Sequence, residues 1–148
     1  MIRRAGKCIK MKEYEHKVQY YETDQMKIVH HSNYIRWFEE ARIDFLEQLG
    51  MPYEKMEADG IISPVVSASC EYKSMTHFGD IVLIEVKIGK YNGIKLEISY
   101  IVRDSHTGEI RAVGETGHCF LDETGKFVSL KRKFPEYHKK FLKGMTEV

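Results

Sequence analysis

Between Tyr20 and Tyr34 the chain reads Tyr-Tyr-Glu-Thr-Asp-Gln-Met-Lys-Ile-Val-His-His-Ser-Asn-Tyr, a dense run of side chains able to do chemistry. Two carboxylates, Glu22 and Asp24, are followed by His30 and His31 and then by Ser32 and Asn33, residue types that start helices. A carboxylate just ahead of a helix combines a base or nucleophile with unpaired N–H groups and a partial positive charge. Such a pairing suits attack on a carbonyl: the amides stabilise the developing oxyanion, and the carboxylate deprotonates water or attacks the carbon itself. The competing reading is an Asp that braces the turn before the helix. Glu22 reads as a solvated charge at a strand end rather than a second catalytic acid.

Other chemistries find less support. The chain has no GxSxG, Walker A, GxGxxG or HExxH sequence. Adjacent histidines on a regular element diverge, so His30 and His31 are not expected to share a metal, and no metal or cofactor is expected. The three cysteines, Cys8, Cys70 and Cys119, form no CxxC pair. They read as reduced thiols of a cytoplasmic protein, with Cys70 and Cys119 inert within strands. A formal charge of +1, from 23 Lys plus Arg against 22 Asp plus Glu, gives no footprint for duplex nucleic acid. No apolar run approaches the ~20 residues of a membrane span, nor does the N-terminus carry a secretory apolar core.

The elements that must position this run can be read from periodicity. Residues 13–21 alternate, with Tyr14, His16, Val18 and Tyr20 on one face, which predicts a half-buried strand. After a loop over 22–30, Tyr34, Phe38, Ala41, Phe45 and Leu49 recur at spacings of three and four, with Trp37 and Leu46 widening the stripe. That is a long helix, capped by Ser32 or Asn33 and stopped by Gly50 and Pro52. Further strands are expected over 61–72, 80–90, 94–102 and 110–122. Asn92-Gly93 is taken as a type I′ turn, 104–109 and 122–126 as further turns, and Pro135 as the start of a short helix to Leu142. Residues 1–12 read as a basic, patternless tail, leaving one domain over 13–148. One helix among several antiparallel strands is an α+β order, and its sheet edges call for partners.

With these elements in place, the stretch from Tyr20 to Tyr34 resembles the signature of the 4-hydroxybenzoyl-CoA thioesterase family of the hotdog-fold superfamily, nearest its Tol-Pal-associated acyl-CoA thioesterases. The resemblance continues through Pro64-Val65-Val66, Cys70-Glu71-Tyr72-Lys73 and Gly79-Asp80 to about Leu130. It implies an antiparallel sheet wrapped around one long helix, hydrolysis of an acyl-CoA to free acid and CoA, and a homodimer or homotetramer with the active site between subunits. Asp24 matches the family's catalytic Asp, as base or nucleophile. His31 matches the position whose backbone N–H polarises the thioester carbonyl. Lys90, Lys95, Lys131 and Arg132 are candidates for the CoA phosphates, CoA being part of the substrate. Lys27 departs from the pattern, standing where many members have Gly, and a left-handed backbone there would cost roughly 1 kcal/mol or more. An acyl-CoA-binding protein without activity and an enoyl-thioester hydratase are the alternatives on the same fold.

Overall fold

The computed structural model describes residues 11–146. Its strands are β1 (Tyr14–Lys17), β2 (Val65–Tyr72), β3 (Ile81–Tyr91), β4 (Lys95–Asp104) and β5 (Ile110–Cys119), and its helices are α1 (Ser32–Gln48), α2 (Tyr53–Ala58), α3 (Leu130–Lys133) and α4 (Pro135–Thr146). The strands form one sheet in the order β1-β3-β4-β5-β2, antiparallel throughout. This is the expected α+β arrangement. β1 and β2 are its edges.

α1 lies on one face of the sheet because its apolar stripe has the right period. Tyr34, Trp37, Phe38, Ala41, Phe45 and Leu46 are all buried, against Val82, Ile84, Ile98, Tyr100 and Val102 of the central strands. Each large side chain so enclosed contributes about 1.5–3 kcal/mol of transfer free energy. The tightest approach is Phe38 on Tyr100, stacked at 4.3 Å and 8°. It requires Gly114: a Cβ there would stand 2.4 Å from the Phe38 ring and 2.5 Å from the Ser69 carbonyl.

A polar chain crosses this core. Arg42 Nη1 donates to the Tyr100 hydroxyl (3.2 Å), which lies 2.6 Å from Thr116 Oγ1, itself 2.9 Å from His118 Nε2. Since a guanidinium only donates, every group in the chain is satisfied when Tyr100 donates onward to Thr116, and Thr116 to His118. In that arrangement His118 Nε2 is the acceptor, and the ring also bonds to the Ser63 backbone. Burial first, and then the Arg42 charge, push the His118 pKa down to about 4.

Several boundaries differ from the sequence reading, each for a local reason. The first strand stops at Lys17 rather than Tyr21, since residues Tyr20–Glu22 form a 3-10 turn with the Glu22 carboxylate accepting from the Gln19 amide at 2.8 Å. β2 starts at Val65, after Pro64, which has no N–H for the ladder; Ile61 is buried and Ile62 only bridges to Leu121. β5 ends at Cys119, with Leu121 bridging to Ile62 and Phe127. The Asn92-Gly93 turn is not type I′. Tyr91 pairs with Leu96, and Gly93 has φ +91° while Asn92 does not enter the positive-φ region; its Oδ1 accepts from Ile94 and Lys95 instead. Neither Ser32 nor Asn33 caps α1: His31 is the N-cap residue, without a side-chain cap bond. α2 had no sequence expectation, and α4 runs past Leu142.

Most of the expected tail, residues 1–10, lies outside the described residues. Lys12 exchanges backbone hydrogen bonds with the Gln48 side chain (2.8 and 3.0 Å), and Met11 packs against the core. Among the described residues no helix is long and apolar enough to cross a membrane.

Candidate active site

The loop between the 3-10 turn and α1 folds as a small hairpin. The His30 amide donates to the Glu22 carbonyl (2.8 Å), Thr23 bridges to Val29, and the Asp24 amide donates to the Ile28 carbonyl (2.9 Å). Val29 N–H donates to Thr76 O at 2.8 Å, and Ile28 bridges to His77, which moors the hairpin beside the start of β3. Lys27 closes the tip with φ +66°, so the family's glycine position does carry a left-handed backbone here.

Asp24 sits at the mouth of that tip, half-buried. Its Oδ1 accepts from the Met26 amide at 2.8 Å, and its carbonyl accepts from the Lys27 amide at 2.9 Å. One carboxylate oxygen thus braces the turn. The other, Oδ2, has no protein partner among the described residues.

At the start of α1 the amides are largely used. Ser32 N–H donates to His30 Nδ1 (3.2 Å), Asn33 N–H to the His30 carbonyl (3.0 Å) and Tyr34 N–H to the His31 carbonyl (3.3 Å). The backbone N–H of His31 has no acceptor among the described residues, leaving it as the open donor of this helix start. Its ring is exposed and stacks on His30 at 4.2 Å and 29°, rather than diverging from it, because the two residues straddle the change from hairpin to helix. Tyr72 at the end of β2 donates its hydroxyl to the His31 carbonyl at 3.2 Å, and Tyr34 donates to Thr76 Oγ1 at 3.0 Å. Asp24 and His31 share one hairpin without touching each other.

Glu22 corrects the sequence reading outright. Instead of a solvated charge it is 5% exposed, with Oε1 accepting from His16 Nε2 (2.9 Å) and Gln19 N–H (2.8 Å), and Oε2 from Trp37 Nε1 (2.8 Å). Burial alone would push this carboxyl's pKa up; the bonds from Gln19, Trp37 and His16 outweigh it and hold the pKa below the ordinary value. Asn33 Nδ2 adds a bond to the Glu22 carbonyl at 2.9 Å. The spacing of three between Gln19 and Glu22 was a visible hint of a local turn, whereas the bond to Trp37 depends on helix packing.

The basic candidates gather elsewhere. Lys90 and Lys95 line a surface groove of about 320 Å³ with Tyr91, Asn92 and Glu97, and Lys131 lies against the turn at Gly93. Arg132 is the exposed neighbour of Lys131 on α3. This cluster stands at the far end of β3 from the Asp24 hairpin, about 30 Å away at ~3.3 Å per residue. Within one chain the two groups of candidates are not brought together. Cys70 is half-buried, its thiol pushed up by burial, and Cys119 is buried. Among the described residues no cluster of His, Cys, Asp or Glu is placed to hold a metal ion.

Comparison with known proteins joins this geometry to a family. Residues 18–142 match the family profile described as Thioesterase-like superfamily. A Bacillus subtilis (strain 168) protein whose provisional name is acyl-CoA thioesterase YneP is 35% identical over 131 residues, 88% of this chain and 94% of its own. The solved DHNA-CoA thioesterase of Staphylococcus aureus superposes with a TM-score of 0.84 at 34% identity, covering 89% of each chain. A structure of an Aquifex aeolicus hypothetical protein gives 0.80 at 36% identity, covering 87% of this chain and 98% of its own. With the long helix α1 laid on the antiparallel sheet and the match spanning nearly every described element, the chain belongs to the thioesterase-like superfamily and has the hotdog fold.

Proposed function

We propose that this protein hydrolyses acyl-CoA thioesters, with Asp24 as base or nucleophile and the His31 backbone N–H as oxyanion donor. The observation that carries the reading is the pairing, on one hairpin, of a carboxylate oxygen and a helix-start amide that both lack partners among the described residues. In the general-base route, Asp24 takes a proton from water as the hydroxide oxygen bonds to the thioester carbon. The oxyanion so formed is held by the His31 N–H, and its collapse breaks the C–S bond and releases CoA, whose sulfur takes up the proton. In the nucleophilic route Asp24 itself attacks the carbonyl carbon, the C–S bond breaks to release the CoA thiolate, and water then cleaves the resulting anhydride to free acid and regenerated Asp24. A thioester has a good leaving group, so neither route calls for a metal.

Two relatives in the superfamily's fold are named for aromatic thioesters, the DHNA-CoA enzyme above and a gentisyl-coenzyme A thioesterase at 26% identity and TM-score 0.75. Their names favour an aromatic acyl group for this chain. The finer placement, in the 4-hydroxybenzoyl-CoA family near the Tol-Pal-associated branch, rests on the sequence resemblance of the loop and of the stretches that follow it to about Leu130. CoA phosphates would be met by Lys90, Lys95, Lys131 and Arg132 of a second copy, since the same residues of one chain stand about 30 Å from Asp24. A CoA substrate and free thiols suit a cytoplasmic setting.

The test is a panel of aromatic and aliphatic acyl-CoAs incubated with the protein and a thiol reagent. Released thiol supports hydrolysis. An altered acyl chain without thiol release marks a hydratase, and binding without either marks an acyl-CoA-binding protein; both outcomes reject the proposal.

A further inference from the structure

We infer that Glu22 is a positioning residue, fixing the Asp24 hairpin against the start of α1; the inference rests on the reading of Asp24 and His31 given above. Its carboxylate joins three parts of the chain: His16 on β1, the Gln19 amide of the 3-10 turn, and Trp37 on α1. Its carbonyl joins the two ends of the loop, accepting from the His30 amide at 2.8 Å and from Asn33 Nδ2 at 2.9 Å. Asp24 follows Glu22 by two residues, and His31 follows the clamped His30 by one. One buried residue that touches neither reacting atom therefore ties the base and the oxyanion donor to the same frame, beside the bonds that moor the hairpin to Thr76 and His77.

The chemistry of the clamp needs a carboxylate. Three donors converge on two oxygens, and an ionised carboxylate offers acceptors on both. His16 must then donate through Nε2, while its Nδ1 lies 3.6 Å from Glu40 Oε1. In Glu22→Gln one of those oxygens becomes an NH2 group. Whichever way the amide turns, a donor faces a donor, against Trp37 or against the His16 and Gln19 pair, in a site with little access to water. The loop has to shift to relieve it. Shifts on the order of 1 Å in catalytic geometry can cost about 100-fold in rate.

Two variants test this, each measured for kcat, KM and thermal melting with an acyl-CoA that the native protein hydrolyses. Glu22→Gln is expected to lower kcat by about 10- to 100-fold with KM changed little, measured well below its own melting temperature. Trp37→Phe removes the donor to Oε2, with some ring volume, while keeping an aromatic ring in the core, so it is expected to lower kcat in the same sense by a smaller factor. Trp37 is the chain's single tryptophan, and its emission should shift in Glu22→Gln but not in Asp24→Asn. If both clamp variants melt lower yet keep native kcat per folded protein, Glu22 is merely structural and the inference is overturned. A rise in KM at unchanged kcat overturns it as well. Native-like turnover of Asp24→Asn on its own rejects the Asp24 reading whatever Glu22→Gln does, so the two failures are told apart.

Discussion

Lys27 holds a left-handed backbone, φ +66°, without the freedom of a glycine, at the tip of the hairpin that carries Asp24. That conformation costs an L-residue about 1 kcal/mol or more, and the cost rises for a β-branched side chain. Lys27→Gly is therefore expected to melt at or above the native temperature, and Lys27→Val several degrees below it; equal melting of the two would show that the tip carries no strain. A second residue-scale outcome concerns acid. His118 is neutral in the fold, with a pKa near 4 against 6.5 in the unfolded chain. The unfolded state thus binds more protons between those values, so stability falls as pH drops from about 6.5 to 4, with ~1 proton taken up at this site on unfolding near pH 5. His118→Asn should flatten the pH dependence of the melting temperature across that window, and an unchanged slope would contradict the assignment. At this scale the sequence exposed Asp24, whose neighbours carry a recognisable pattern, and Lys27 as the odd residue in it. It concealed Glu22, since a glutamate three residues from Gln19 looks solvated until Trp37, 15 residues on, is packed over it.

Elements form where periodicity is backed by burial on one face. β3 and β4 were legible because Val82, Ile84, Val86 and Ile88, and then Leu96, Ile98, Tyr100 and Val102, alternate strictly and all are buried in one core. The ends of elements were less so, because they are set by single contacts: the Glu22 carboxylate that turns β1 into a 3-10 turn, Pro64 ahead of β2, and the Asn92 side chain that takes over the turn amides. α2, only Tyr53–Ala58, is too short to show a period and buries Met56 alone. The seating of α1 on the sheet depends on Gly114, where Phe38 leaves no room for a methyl group. Gly114→Ala should destabilise the protein by about 1–3 kcal/mol, the range for overpacking a rigid site, as read from denaturant unfolding. A change below 0.5 kcal/mol would mean that helix and sheet are less tightly apposed than the 4.3 Å ring stack indicates.

For the molecule as a whole, β2 is an eight-residue edge strand exposed along almost its entire length, with Val65 and Val66 among its uncovered side chains and no proline inside it. Such an edge invites pairing with another copy. Light scattering at micromolar concentration should report a dimer or tetramer, and Ser67→Pro should weaken it; a monodisperse monomer of 17.3 kDa would rule out an active site shared between subunits. The helix, the hairpin and the clamp converge on the chemistry of Asp24, and Asp24→Asn examines it most directly. The amide keeps the size of the side chain and an oxygen for the Met26 amide, but removes charge and basicity. Acyl-CoA turnover is expected to fall by roughly 10²–10⁴-fold with fold, oligomer and substrate affinity retained. Turnover close to native would contradict the catalytic role and leave Asp24 as a brace for the turn.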